Sequence, residues 1–138
     1  MGDGVSVGEM RSKTVANLTT EDFVKYAGAS GDFNPMHYDH ELATAAGQRD
    51  VFAPGMLTAG IAAALLSEWF GIAAIRSFRV RFQSQVWRGD SVTTEGEVTK
   101  IFDDQGERIS AVAIEATTQN GDLVLNGDAT VVLGVTEV

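Results

Sequence analysis

The chain has no cysteine, which excludes disulfides, thiolate metal sites and a cysteine nucleophile. That absence fits a reducing compartment, and the cytoplasm is the expected location. Basic residues are scarce: 10 Lys and Arg stand against 19 Asp and Glu, for a formal charge of −9. Duplex affinity is largely phosphate neutralisation by Lys and Arg, so nucleic acid is not an expected partner, and an acidic substrate would need a local basic patch. Long apolar runs are missing too. The longest, Val51 to Leu66, is broken by Pro54, Gly55, Thr58 and Gly60 and falls short of the roughly 20 residues that span a bilayer, so no membrane insertion is expected. Met1 to Met10 lacks a basic segment followed by an apolar run, so no secretory signal is read there.

What is present is ordinary for a soluble globular protein: 44% hydrophobic and 21% charged residues. Residues 1–138 are read as one domain, long enough to bury a core and too short for two, with a single site. Lys13 to Asn17 reads as a short strand or arm. Thr19 then starts a helix, with Asp22 three positions on completing an approximate capping box, and Phe23, Val24 and Ala27 on its apolar side. Asp39 to Ala46 reads as a second short helix with Leu42, Ala43 and Ala46 inward and Gly47 at its end.

Pro54 to Phe70 carries the clearest helix signature, with Pro in the first turn and Gly71 as the stop. It has almost no polar side before Ser67 and Glu68, so it is expected to be buried on most faces and wrapped by something else. From Ile75 onward the period changes to two. Phe78, Val80, Phe82 and Val86 alternate with Arg79, Arg81, Gln83 and Gln85, as in a strand with one face on a core. Arg88-Gly89-Asp90 reads as a turn, Val92 to Phe102 as a strand, Asp103 to Gly106 as a turn, and Ile109 to Thr118 as another strand. Asn120-Gly121 predicts a type I′ hairpin turn into a last strand, Leu123 to Leu133. The layout is α+β: a mostly antiparallel sheet with one apolar helix across it.

The chemistry concentrates in Ser30-Gly31-Asp32-Phe33-Asn34-Pro35-Met36-His37. Gly28 and Gly31 suit a helix exit, and Pro35 disfavours the α region at Asn34, so the loop should be extended and stiff. Ionised Asp32 accepts only, while the imidazole of His37 can take or give a proton. That pairing suits moving water onto or off a substrate.

A long helix held in a curled antiparallel sheet is the hot-dog architecture, and Tyr26 through Phe70 resembles the MaoC-like (R)-specific enoyl-CoA hydratases. Their motif runs approximately Gly-Asp-x-Asn-Pro-hydrophobic-His-x-Asp, then a helix with Ala and Gly, then a Gly that opens the central helix. Here those positions are Gly31, Asp32, Asn34, Pro35, Met36, His37, Asp39, Ala43, Gly47 and Gly55. The resemblance implies that Asp32 and His37 activate one water, that Asn34 supports the loop, and that the Gly55 N–H holds a thioester carbonyl. The first-turn position of that donor agrees with such a role. The substrate implied is an acyl-CoA or acyl-carrier thioester, with no cofactor and no metal, in a homodimer or a heterodimer with another hot-dog subunit. Pro54 departs from the His that many members carry before the helix-opening glycine, which bears on the acyl pocket.

Other readings of the same residues stand beside this one. Asp32 alone would be a turn residue bonding its own backbone. Asp32, His37, Asp39 and His40 could form a metal site; a calcium loop fails at its twelfth position, where Ala43 stands in place of Glu. His40 reads as helix surface. Met56 and Leu57 are candidates for an acyl pocket. Arg76, Arg79, Arg81 and Arg88 form either a solvated strand face or a patch for the phosphates of coenzyme A or phosphopantetheine, with Arg79 and Arg81 the candidate contacts. A hot-dog thioesterase would share the helix-terminus site without needing Asp32, Asn34 and His37. A non-catalytic subunit of a heteromer is the reading from a different class.

Overall fold

An almost wholly apolar helix has to be covered, and one sheet covers it. The structure, a computed structural model, describes residues 4–135. Its elements are β1 (Met10–Val15), α1 (Thr20–Ser30), a 3-10 turn (Pro35–His37), α2 (His40–Ala45), α3 (Gly55–Phe70), a second 3-10 turn (Ile72–Ala74), β2 (Ile75–Phe82), β3 (Val92–Asp104), β4 (Glu107–Thr118) and β5 (Leu123–Val135). The five strands form one antiparallel sheet in the order β1-β3-β4-β5-β2. Ile61, Ala62 and Leu66 of α3 are buried in one core with Val92, Val112, Ile114, Leu125, Ala129 and Val131 from the strands. This is the hot-dog arrangement.

Two glycines let the pieces approach. At Gly96 on β3 a Cβ would lie 3.2 Å from the Trp69 ring and 3.3 Å from Leu65, so α3 rests almost on the β3 backbone. At Gly127 on β5 a Cβ would overlap the Arg79 carbonyl oxygen of β2 and lie 2.8 Å from Val80 Cα. Only a residue without a side chain fits between those two strands.

Several local expectations shift. The first strand is Met10–Val15, not residues 13–17: Asn17 turns to φ 53° and its N–H leaves the ladder for Ser91 Oγ at 2.9 Å. The capping box forms, with Thr19 as N-cap; Gly28 stays inside α1, and the exit falls to Gly31 at φ 80°. Val24 is exposed, and in α2 only Ala43 is buried while Leu42 and Ala46 face outward, because so short a helix presents one position to the core. Pro54 is the N-cap of α3 and Gly55 its first residue. The helix is not buried all round: Gly60 is exposed and Ala63, Ala64 and Ser67 are half-buried.

The strand from Ile75 stops at Phe82. Residues 83–91 cross to the far side of the sheet instead of making a hairpin, so buried Val86 belongs to that crossing. The type I′ geometry sits at Gln105-Gly106 (φ 51° and 81°), not at Asn120-Gly121, where Gly121 alone has positive φ. There the Thr118 N–H bonds the Asp122 carbonyl at 2.9 Å, and the register shifts between Ala116 and Thr117. A three-residue loop ending in a left-handed glycine replaces the two-residue turn.

Candidate active site

Each polar side chain of the loop after α1 is committed to the backbone near it. Ser30 Oγ accepts the Asp32 N–H at 3.1 Å, Asp32 Oδ1 accepts the Asn34 N–H at 3.3 Å, and Asn34 Oδ1 accepts the Met36 N–H at 3.1 Å. Asn34 takes φ −60°, ψ 117°, the extended conformation that a following proline favours, and its carboxamide caps the turn Pro35–His37. Tyr38 Oη donates to the Phe33 carbonyl at 2.9 Å and closes the loop, and Asp39 caps α2 through the Leu42 N–H at 3.1 Å. The stiffness expected of this segment is therefore carried by a chain of side-chain caps.

The product of that bracing is a fixed imidazole. His37 is only 7% exposed, and its Nδ1 lies 2.8 Å from the Phe52 carbonyl oxygen. A carbonyl only accepts, so Nδ1 carries the proton and the lone pair of the neutral ring is on Nε2. Nε2 lies 3.8 Å from Asp32 Oδ2, too far for a hydrogen bond, and the Asp32 side chain is 53% exposed. Two acceptors thus face one another across an opening to solvent. The Phe52 ring stands edge-on to His37 at 5.1 Å and edge-on to Trp87 at 6.1 Å, so it packs between them.

Three residues beyond Phe52, α3 begins with no side-chain cap. The Leu57 N–H turns back to the Pro54 carbonyl at 3.0 Å, which leaves the N–H groups of Gly55 and Met56 at the positive dipole end, both at exposed residues. The Phe82 ring lies 3.6 Å from where a Gly55 Cβ would be and is 48% exposed itself. Met56 is exposed, while Leu57 packs against the core.

Of the four arginines, Arg76 pairs with Glu107 at 2.6 Å, Arg79 with Asp128 at 3.2 Å, and Arg88 with Asp50 at 2.7 Å. Arg79 and Arg81 line a groove on the solvent side of the sheet together with Glu95, Glu97, Glu115 and Asp128. That surface carries more carboxylates than guanidiniums. The side chains weighed as a metal site do not converge: His37 turns to Phe52 and Asp32, His40 to Asp50, and Asp39 to the backbone. Among the described residues no group of three or more His, Asp or Glu could hold a metal ion.

Asp50, unremarkable in the sequence, gathers several of these parts. Its Oδ1 meets His40 Nδ1 at 2.8 Å and its own neighbour's N–H, Val51, at 2.7 Å, while Arg88 grips both oxygens at 2.7 and 3.1 Å. Burial works against its charge, but the bonds from His40 and Val51 and the Arg88 guanidinium outweigh it, so the carboxyl titrates below the ordinary value. A depressed folded-state pKa contributes stability above the unfolded value of about 3.9 and loses it as pH falls through the folded one. Asp50→Asn should therefore unfold more easily than wild type at neutral pH. In urea titrations across pH the gap should shrink below about pH 4; a gap that stays constant to lower pH would show that the carboxylate's charge is not its source.

Residues 6–120 match the family described as MaoC like domain. The chain belongs to the MaoC-like family. The (R)-specific enoyl-CoA hydratase of Aeromonas caviae is 34% identical over 110 residues, 78% of this chain and 81% of that protein. The solved structure of an A. caviae (R)-hydratase involved in PHA biosynthesis superimposes with a TM-score of 0.84 at 28% identity, covering 94% of this chain and 97% of that one. The mitochondrial 3-hydroxyacyl-(acyl-carrier-protein) dehydratase of Solanum lycopersicum is 29% identical over 121 residues, 88% of this chain and 73% of that protein. A 3-oxo-4,17-pregnadiene-20-carboxyl-CoA hydratase beta subunit of Mycobacterium tuberculosis is 33% identical over 81 residues, 58% of this chain and 63% of that subunit. This MaoC-like chain is thus similar to hydro-lyases of thioester substrates. No helix among its described residues is long and apolar enough to cross a membrane.

Phe52, Phe82 and Asp50 are the parts of this candidate site that reading the sequence missed, and Arg88, weighed there for a phosphate, grips Asp50 instead. Phe52 acts through its carbonyl, which no side-chain pattern announces, and Asp50 acts through partners ten and 38 positions away.

Proposed function

We propose that the whole chain acts as one hot-dog unit that adds water to trans-2-enoyl thioesters, giving (R)-3-hydroxyacyl thioesters, or runs the reverse dehydration. The observation that carries this is the facing pair of acceptors, His37 Nε2 and Asp32 Oδ2, 3.8 Å apart. A water placed there donates one O–H to each, which leaves its lone pairs for the substrate. As the oxygen bonds C3, one of these acceptors takes the water's proton and passes it on to C2, which completes the addition and restores the site. Negative charge gathering on the thioester oxygen is met by the Gly55 N–H at the uncapped start of α3. Asn34 acts through the loop it caps. Leu57, Met56 and the Phe82 ring border the acyl group, and Arg81, which makes no ion pair among the described residues, is the arginine open to a coenzyme A or phosphopantetheine phosphate.

The test is crotonyl-CoA and a longer trans-2-enoyl-CoA incubated with the purified protein alone, following loss of the enoyl absorbance and the configuration of the product. Formation of the (R)-3-hydroxy thioester supports the reading; release of free thiol without hydration would make the protein a thioesterase. A second reading, a subunit active only beside another hot-dog chain, is favoured by the likeness to a relative named as a beta subunit. Inactivity alone together with a monomeric mass in gel filtration would support it. The absence of cysteine fits a reducing compartment, and the cytoplasm is our assignment for this reaction.

A further inference from the structure

The segment from Gly47 to Pro54 joins α2 to α3 and has no regular secondary structure beyond the bridge Phe52↔Trp87. Both main-chain groups of the proposed site depend on it, since it presents the Phe52 carbonyl to His37 and feeds the first turn of α3. Besides the edge-on contact of the Phe52 and Trp87 rings, four contacts pin it against residues 86–88. The Ala53 N–H donates to the Val86 carbonyl at 2.8 Å, the Arg88 N–H reaches the Val51 carbonyl at 3.4 Å, and the Arg49 guanidinium lies over the Trp87 ring at 4.4 Å. The fourth is the two-point grip of Arg88 on Asp50. Besides the Phe52 carbonyl on His37, Asp50 also reaches the other side, to His40 at the first turn of α2, three residues after His37. One carboxylate therefore ties the strip that carries the Phe52 carbonyl to the loop that carries the imidazole.

We propose that Asp50 and Arg88 are positioning residues of the hydration site, fixing the Phe52 carbonyl against His37 Nδ1 and so holding the His37 lone pair on Nε2, where water is taken. Neither residue touches the reacting atoms. A planar guanidinium that grips two oxygens fixes orientation as well as distance, which a single ammonium does not. Without the pair, the strip is held by backbone bonds and by the contacts of Phe52 and Arg49 with Trp87, and the imidazole is free to exchange tautomers or turn.

This inference rests on the hydration reading, but its main test needs no turnover. The chain has only two histidines, so NMR of the imidazole nitrogens gives two sets of signals, assigned with a His37→Gln sample. At about pH 8, above the ordinary imidazole range, wild-type His37 should be protonated at Nδ1 alone. In Asp50→Asn and Arg88→Gln the same ring should show both tautomers. With crotonyl-CoA, kcat should fall about tenfold or more while KM stays within about twofold, as displacement of a catalytic group produces. Arg88→Lys should recover part of the kcat lost in Arg88→Gln, and the double variant should lose no more than either single one. Arg88→Lys, at a half-exposed side chain, also serves if Asp50→Asn does not fold.

A His37 that keeps its single Nδ1–H tautomer in the variants would overturn the inference, even if their melting temperatures drop. So would a change in KM alone. An inactive wild type would count against the hydration reading, while the tautomer comparison would still decide this one.

Discussion

Replacing His37 by alanine is expected to lower kcat for enoyl-thioester hydration by roughly 10² to 10⁴, the range for loss of one general acid–base group. The imidazole is fixed by the Phe52 carbonyl at Nδ1 and meets the Phe52 ring edge-on at 5.1 Å. Alanine leaves that carbonyl without its donor, so some stability is lost as well. Asp32→Asn separates the two effects: it is isosteric, its Oδ1 can still accept the Asn34 N–H, and the side chain is half-exposed. It should keep the wild-type urea midpoint while activity drops, because an amide cannot replace a carboxylate as the second acceptor for the water's proton. An Asp32→Asn protein with full activity would remove Asp32 from the site and leave the loop as scaffold.

The largest effect on folding is expected at Gly127→Ala. A methyl there overlaps the Arg79 carbonyl and crowds Val80 Cα, both backbone atoms of β2, so no rotamer change relieves it and the strands must part. Overpacking of this kind costs about 3 kcal/mol, the upper part of its usual range, or about 10 °C in melting temperature for a chain of this length. Gly134→Ala on the same strand meets nothing within 4 Å and should be nearly neutral. Gly96→Ala should fall between, since the tightest contacts of its Cβ are ends of the Trp69 and Leu65 side chains. Because β2 also carries Phe82 over Gly55, the Gly127 variant should lose hydration activity below its melting temperature, which differential scanning calorimetry alongside the enoyl assay would show. Equal melting of the Gly127 and Gly134 variants would mean that the β2–β5 contact is looser than described.

The sequence made the large features legible because each rests on a short-range signal. The Asp22 capping box, the apolar composition of residues 54–70 and the period-two strands each state their own conformation, and Asp32, Asn34, Pro35 and His37 declare a braced polar loop at a fixed spacing. What could not be read depends on partners distant in the chain. Leu42 and Val24 are apolar yet exposed, because short helices offer the core few positions. The hairpin at Asn120-Gly121 follows the register of β4 on β5 instead of the dipeptide's own preference. That Phe82 ends β2, and that the following residues cross the sheet to β3, next to the opposite edge strand β1, is decided by strand order alone. Three arginines looked like a phosphate patch only until Glu107, Asp128 and Asp50 came into place beside them.

The proton on His37 is held by a main-chain carbonyl, and the open donors at the start of α3 are main-chain as well. Neither is encoded by the identity of a side chain. Position 82 can exchange its ring for another apolar group, and position 56 its thioether, while the same backbone atoms go on holding the proton and offering the N–H. For an engineer or a lineage this separates the heritable variables: the residues that shape the acyl group are free to drift toward new substrates, and the chemistry is inherited through the path of the chain.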